Sequence, residues 1–318
     1  MKPERGLRYK EKLSTKLFSK PEEGEQFLSA FSSVQKSPAL YWTSSKYEVF
    51  NEKDTPTFIP HFVSFLEESE RPGKHELHEK GAFYVVDQSS ALLCSALSAI
   101  RAYPDVIVDA CASPGGKSIF SSLFFDPVLL IANEVVEKRA KTLISNFSRC
   151  KIKNSLITCQ SIQSLSNALK YSADLVILDA PCSGQSLCIK GEDVDNPFHP
   201  ATVSMNAMRQ RKLLTESKDL LSPKGTLAYL TCTYSIDENE KNIDWFIKKN
   251  PEFKTLEVPF LDFLKSPHSK HSCYRLHPSH GFGAGGFVCL LARDDQSIEK
   301  QDMCLESLRV FWRSTEKQ

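Results

Sequence analysis

Two cysteines and an aspartate hold the most specific chemistry in this sequence. Cys182 stands in Asp179-Ala-Pro-Cys-Ser-Gly184, just after an apolar run, and Cys232 closes the next apolar run in Leu230-Thr-Cys-Thr-Tyr234. A free thiol titrates near about 8.5, and only the thiolate is a strong nucleophile, so a site using one must favour that form. One reaction open to such a site is methylation of a cytosine ring at carbon 5, a poor nucleophile until a thiolate adds to carbon 6. The ring carbon then becomes enamine-like, takes an electrophilic methyl group, loses its proton and expels the thiol. An acid at the N3 edge must stabilise the charge that builds up during addition, and Asp179 stands where it could do so. Residue types alone do not say which cysteine attacks.

A methyl donor needs a cradle. Asp109-Ala-Cys-Ala-Ser-Pro-Gly-Gly-Lys-Ser118 follows the apolar Val106-Ile-Val108 and leads into Ile119-Phe120, which reads as strand, glycine-rich turn and helix. The expected ligand-holding residues are Cys111, Ala112, Ser113, Pro114, Gly115, Gly116 and Lys117, because two glycines permit close backbone approach and a helix start offers unpaired N–H groups. A P-loop would need glycine where Cys111 stands, and the G-x-G-x-x-G dinucleotide fingerprint is missing. Glu134, after the apolar Val128-Leu-Leu-Ile-Ala-Asn133, is placed to accept hydrogen bonds from both hydroxyls of a ribose. A surface glutamate at the start of the next helix is the competing reading. S-adenosylmethionine fits this combination best, and Lys117 with the cofactor's sulfonium would favour a nearby thiolate.

The elements that must position these groups follow from the alternation of short apolar runs with helical patterns, the sign of a parallel sheet covered by helices on both faces. Strands are expected at Val106–Cys111, Val128–Asn133, Ser155–Cys159, Asp174–Asp179, Thr226–Cys232 and Gly286–Leu291, with helices at Val135–Arg149 and Ala201–Leu221. Ser222-Pro-Lys-Gly225 reads as a stop that ends the second helix and turns the chain into the next strand. The chemical motifs then sit at strand C-termini, where open α/β sheets bind ligands.

The chain has 318 residues, 41% hydrophobic and 25% charged, enough for one large α/β domain and a smaller one. We expect a small N-terminal α+β domain at residues 1–75, bounded by Arg71-Pro-Gly-Lys74, a catalytic domain at 76–296, and a tail at 297–318 whose Leu308–Trp312 packs on the core. No apolar stretch approaches the roughly 18 to 20 residues needed to span a bilayer, and no signal-type core follows the charged start. The cytoplasm is the expected compartment, and a monomer without membrane contact the expected state. Net charge is +1, so a nucleic-acid partner would need a local patch, such as the basic stretch from Lys2 to Lys20. The ten cysteines include no C-x-x-C pair, so neither a disulfide nor a zinc framework is favoured. His268, His271, His277 and His280 read as a solvated loop, and no metal site is expected.

Asp109-Ala-Cys-Ala-Ser-Pro-Gly-Gly-Lys117, Asp179-Ala-Pro-Cys-Ser-Gly184 and Thr231-Cys-Thr-Tyr-Ser-Ile-Asp-Glu-Asn-Glu240 resemble the cofactor and double-cysteine motifs of the Nol/Nop/Sun (RsmB-type) RNA cytosine-5 methyltransferases. Gly281-Phe-Gly-Ala-Gly-Gly-Phe287 resembles that family's approach to its last strand, so the resemblance covers about residues 76 to 294. It implies a Rossmann-like class I methyltransferase with a mostly parallel seven-stranded sheet, S-adenosylmethionine as cofactor and ribosomal or transfer RNA as substrate. By resemblance Cys232 is the nucleophile, Cys182 assists product release, Asp179 contacts cytosine and cofactor, and Cys111 to Lys117 with Glu134 hold the cofactor. Arg209, Arg211, Lys212, Lys190 and the basic N-terminus are candidates for RNA backbone contacts. Three positions depart from the family: Gln160-Ser161 replaces an acid near the adenine, leaving Ser161 or Gln160 to hydrogen-bond the base; Val86 replaces a glutamine, with Gln88 displaced; and Gln185–Lys190 replaces an Arg-rich stretch. The alternative implied by these departures is a catalytically weak RNA-binding or ribosome-assembly factor of the same fold.

Overall fold

The computed structural model describes residues 3–32, 34 and 36–314. The chain opens with helices α1 (Pro3–Leu17) and α2 (Pro21–Ser29), then β1 (Pro38–Trp42), β2 (Val63–Phe65), α3 (Glu76–Glu79), β3 (Phe83–Asp87) and α4 (Gln88–Cys94). Pro21 and the acids Glu22 and Glu23 start α2 favourably, since proline gives up no needed N–H there and carboxylates face the positive end of the helix dipole. β1 is the middle strand of a three-stranded antiparallel sheet, with Ala39 opposite Phe65 on one side and Val86 on the other. β3 lies beyond the expected boundary at Arg71–Lys74, yet it completes this small sheet. The sheet is not isolated, because Ala39, Tyr41 and Phe65 share one core cluster with Ile107, Phe120 and Leu230 of the catalytic part.

The rest of the chain builds one larger sheet. Its strands are β4 (Val106–Asp109), β5 (Leu129–Asn133), β6 (Ser155–Thr158), β7 (Ala173–Asp179), β8 (Leu221–Thr231), β9 (Phe253–Thr255), β10 (Tyr274–Leu276), β11 (Gly286–Arg293) and β12 (Val310–Arg313). Between them run α5 (Gly116–Phe125), α6 (Glu137–Arg149), α7 (Ile162–Ala168), α8 (Pro200–Lys218) and α9 (Glu240–Lys249). The order β10-β11-β8-β7-β4-β5-β6-β12, with β9 beside β11, makes nine strands among the described residues where seven are expected. β4 to β8 pair in parallel, while β9, β10 and β11 are antiparallel additions at one margin and β12 at the other.

A parallel sheet covered on both sides needs apolar side chains on both faces. β4 shows it: Ile107 enters one core cluster, and Val106 and Val108 enter the other. Each such fully buried aliphatic chain contributes about 1.5–3 kcal/mol relative to exposure. In α6, Ala140, Leu143 and Phe147 are buried at helical spacing and hold the helix to the sheet. None of the described helices is long and apolar enough to cross a membrane.

Two expectations need correction. Ser222-Pro-Lys-Gly225 is no separate turn, because β8 already begins at Leu221 opposite Ala173, and Thr226 next pairs with Leu175. The extra residues bulge within one strand, as expected where proline cannot donate to the ladder. The histidine stretch is no solvated loop either. β10 runs through it, His277 is buried, and its ring stacks on Tyr234 and packs against Phe18 and Phe27. Apolar rings from α2 and the segment after α1 supply a contact that the local polarity conceals.

Candidate active site

Register brings the motifs together. In the parallel pair β7–β8, Asp179 lies opposite Leu230, so the segments leaving both strands emerge over one edge of the sheet. Asp109 ends β4 next door, opposite Ile177 of β7 and Ala132 of β5. Cys182 and Cys232 meet there, with their sulfurs 2.9 Å apart and both residues half-buried. Gly184 takes a positive φ of 71°, open to glycine at little cost, and turns the chain away directly after Cys182-Ser183.

The contact polarises the pair. The Cys232 thiol is held below the ordinary cysteine range, first by hydrogen bonding with Cys182 and further by Lys117 and Lys190, against the pull of burial and Asp179. The Cys182 thiol is pushed up by the same hydrogen bond, by burial and by the charge of Glu238. One sulfur is thus favoured as thiolate and its neighbour as thiol. Lys117 reaches the edge from the first turn of α5, with Nζ 2.7 Å from Asp179 Oδ2.

The glycine-rich turn is anchored from below and from the side. Asp109, fully buried, accepts hydrogen bonds from Ser118 Oγ at 2.6 Å and from the Cys111 amide at 3.3 Å. Burial raises its carboxyl to about 7, against the stabilising Ser118 bond. Ala112 N donates to Asn133 O at 2.8 Å, and Ser113 Oγ to Arg139 O at 3.0 Å, while Pro114 O accepts from Asn146 Nδ2 at 2.9 Å. Gly115 precedes α5 with φ of 118°, and a Cβ on it would lie 3.0 Å from Leu143 Cδ1, so glycine is required there. Burial pushes the Cys111 thiol up, as do Asp109, Glu134 and Asp179, which leaves it a neutral lining group.

Glu134 is buried just past β5, where Oε1 accepts from the Val136 amide at 3.0 Å. Its Oε2 forms an ion pair with Arg139 Nη1 at 3.2 Å but accepts no aligned hydrogen bond from the described residues. Arg139 escaped the sequence reading. Its Nη2 donates to Ser113 O at 2.8 Å, so one guanidinium braces both the turn and the acid, and only its place in the first turn of α6 hinted at this.

Other expected residues are already engaged. Ser161 Oγ accepts from the Ser164 amide at 3.1 Å and caps α7. Gln160 Oε1 accepts from Arg309 N at 2.8 Å, and its buried Nε2 has no partner among the described residues. Gln88 is buried, and its amide donates to Leu66 O at 3.0 Å, while Val86 is half-buried on β3. Of the cationic candidates, Arg211 Nε donates to Asn242 Oδ1 at 2.8 Å, Lys212 lies 3.7 Å from Glu216 and Lys190 lies 4.0 Å from Asp87. Arg209 is exposed on α8.

Residues 100–292 match the family described as 16S rRNA methyltransferase RsmB/F. The chain belongs to that family. Relatives include ribosomal RNA small subunit methyltransferase F of Cronobacter sakazakii, 34% identical over 59% of this chain and 39% of that protein. The protein of the same name from Pectobacterium carotovorum is 30% identical over 68% of this chain and 46% of its own length. The chain therefore spans less than half the length of these curated relatives. Among solved structures, NSun6 from Pyrococcus horikoshii with SFG has a TM-score of 0.74 at 17% identity, covering 90% of this chain and 98% of that one. A methyltransferase homologue from Pyrococcus horikoshii has a TM-score of 0.71 at 21% identity, over 86% and 91%. Both show the same Rossmann-like fold.

The RsmB/F family uses S-adenosylmethionine. The residues present suit that cofactor on two counts: the Glu134 carboxylate oxygen, which has only the unaligned guanidinium of Arg139 beside it, and the unpaired Nε2 of Gln160. A buried polar atom without an aligned hydrogen bond is costly, so two at one sheet edge mark groups that a polar ligand would satisfy.

Proposed function

We propose that this chain transfers a methyl group from S-adenosylmethionine to carbon 5 of a cytosine in ribosomal or transfer RNA, through a covalent adduct with Cys232. The contact between the Cys182 and Cys232 sulfurs, 2.9 Å apart at the edge that carries Asp179, supports this reading above all. In it, Glu134 holds the ribose, Gln160 the adenine edge, with Ser161 beside it, and residues Cys111 to Lys117 the remainder of the cofactor. When bound, S-adenosylmethionine supplies an electrophilic methyl group to the activated ring.

The protein's own groups do the rest. Cys232 adds as thiolate to carbon 6, and the charge pushed to the N3 edge is met by a proton that Asp179 carries from solvent and recovers after methyl transfer, while Lys117 fixes the carboxylate. After methylation Cys182, once its own proton has passed to solvent, accepts the proton from carbon 5 as a strongly basic thiolate; the electron pair of that C–H bond forms the ring double bond, and the carbon–sulfur bond to Cys232 breaks to return its thiolate. Two strand-end thiols with opposite protonation preferences suit this division of labour, and an assembly factor without catalysis would need neither. The N-terminal segment to about residue 75, with Lys190, Arg209, Arg211 and Lys212, is proposed to contact the RNA backbone, residues 76–296 to catalyse, and the cytoplasm is the proposed compartment. Incubation with labelled S-adenosylmethionine and unmodified ribosomal and transfer RNA tests the reading. Label in 5-methylcytosine is expected, and its absence from every RNA cytosine overturns the proposal.

A further inference from the structure

Beneath the two cysteine loops lies a fully buried carboxylate that the reaction above does not use. Glu238 is 0% exposed. Its Oε2 accepts from the Ser183 amide at 2.8 Å and from Gln210 Nε2 at 2.9 Å, and its Oε1 accepts from Ser183 Oγ at 2.5 Å. Ser183 Oγ lies 2.8 Å from Thr233 Oγ1, which is itself 3.4 Å from Glu238 Oε1. Ser183 directly follows Cys182, and Thr233 directly follows Cys232. One carboxylate thus gathers the residue after each thiol.

The group is itself held rigidly. Tyr229 Oη and Asn242 Nδ2 both donate to the Glu238 carbonyl, at 2.8 and 3.1 Å, and Asn242 also donates to Gln210 Oε1 at 3.0 Å. This explains why α8 turns the polar Gln210 inward among its buried residues. A buried carboxylate with three or more donors aimed at it has been preorganised, since a partly satisfied one would destabilise the fold.

We infer that Glu238 is a positioning residue which, through Ser183 and Thr233, sets the contact between the Cys182 and Cys232 sulfurs. The inference rests on reading Cys232 as the attacking thiol. The carboxylate accepts and never donates, so the Ser183 amide, the Ser183 hydroxyl and the Gln210 amide all point inward, and the Thr233 hydroxyl follows by donating to Ser183 Oγ. A carboxamide in its place can keep its oxygen on the Ser183 and Gln210 amides, but its N–H end replaces the charge-assisted acceptor of the Ser183 hydroxyl; that hydroxyl must turn to accept, and the Thr233 hydroxyl loses its acceptor. The two loops then separate, and Cys232 loses the neighbour that favours its thiolate.

The test is E238Q, with S183A as a milder variant that removes one hydroxyl and leaves the carboxylate in place. Alkylation of Cys232 by iodoacetamide, followed by peptide mass spectrometry as a function of pH, reads the thiolate without any RNA. The expected result for E238Q is a thiolate fraction at neutral pH lower by about tenfold, equivalent to one pKa unit. Single-turnover methyl transfer should fall at least as far, while RNA and cofactor affinities stay within about twofold, because the residue touches neither. S183A should move both readouts in the same direction by less. A wild-type alkylation profile in folded E238Q overturns the inference; if E238Q does not fold, a wild-type profile in S183A overturns it. Should no RNA be methylated at all, the functional proposal fails, and the alkylation profile still decides the role of Glu238.

Discussion

Lys117 Nζ lies 2.7 Å from Asp179 Oδ2, and this ion pair joins the first turn of α5 to the end of β7. It links the glycine-rich turn to the cysteine-side edge. Burial opposes the Lys117 charge, but Asp179 and the Cys94 and Cys232 thiols outweigh it and hold the ammonium above the ordinary lysine range. Lys117→Met would leave Asp179 unpaired in a site only about a quarter exposed on either side chain. Methyl transfer should fall by about 10- to 100-fold, in line with about 1.5–3 kcal/mol for a hydrogen bond to a charged group. Steady-state kinetics on RNA check this, and an unchanged rate would separate the pair from catalysis.

The cysteines should behave differently when removed singly. Cys182→Ala should accumulate a denaturant-resistant protein–RNA adduct, seen as a shifted band on a denaturing gel, with turnover reduced by about 100- to 10,000-fold for a lost proton acceptor. Cys232→Ala should form no adduct. Adduct formation by Cys232→Ala would instead assign the attack to Cys182.

Glu134→Ala should weaken cofactor binding while sparing turnover at saturating cofactor. Loss of hydrogen bonds to a charged acceptor corresponds to about 10- to 100-fold in Kd. Arg139→Ala should act in the same direction, because Arg139 braces Ser113 and lies against Glu134. Calorimetric titration with S-adenosylhomocysteine measures both, and an unaltered affinity in Glu134→Ala would remove that residue from the cofactor site.

Asp109 should make folding stability depend on pH. Its folded-state carboxyl sits at about 7 because of burial, against about 3.9 for a solvated aspartate. Protonated Asp109 is therefore favoured by folding, and its contribution is complete below about 4 and lost as pH rises towards 7. Linkage puts the change at a few kcal/mol in order of magnitude. Asp109→Asn, which can still accept from Ser118, should flatten this part of the curve. Urea unfolding of both proteins at pH 4 to 8 gives the difference, which also removes the opposite contribution of buried His277, whose imidazole is held well below its ordinary value by burial. Parallel curves would show that Asp109 does not titrate in this window.

Much of the site was legible in the chain because its signals are local. Strand, glycine-rich turn and helix at Val106–Phe120 follow from neighbouring residue types, and the strands that end at Asp109, Asp179 and Thr231 stand where apolar runs stop. Thiols, an acid and a cradle at such ends limit the chemistry to few reactions. What no local pattern contains is register: Asp179 opposite Leu230 is a matter of hydrogen bonds between strands far apart in sequence, and it alone brings Cys182 to Cys232. For the same reason the brace at Arg139, the buried Glu238 and the burial of His277 are decided only by tertiary structure. A polar residue reads as solvated until a distant element covers it, so its role depends on partners that the sequence spaces tens or hundreds of residues away.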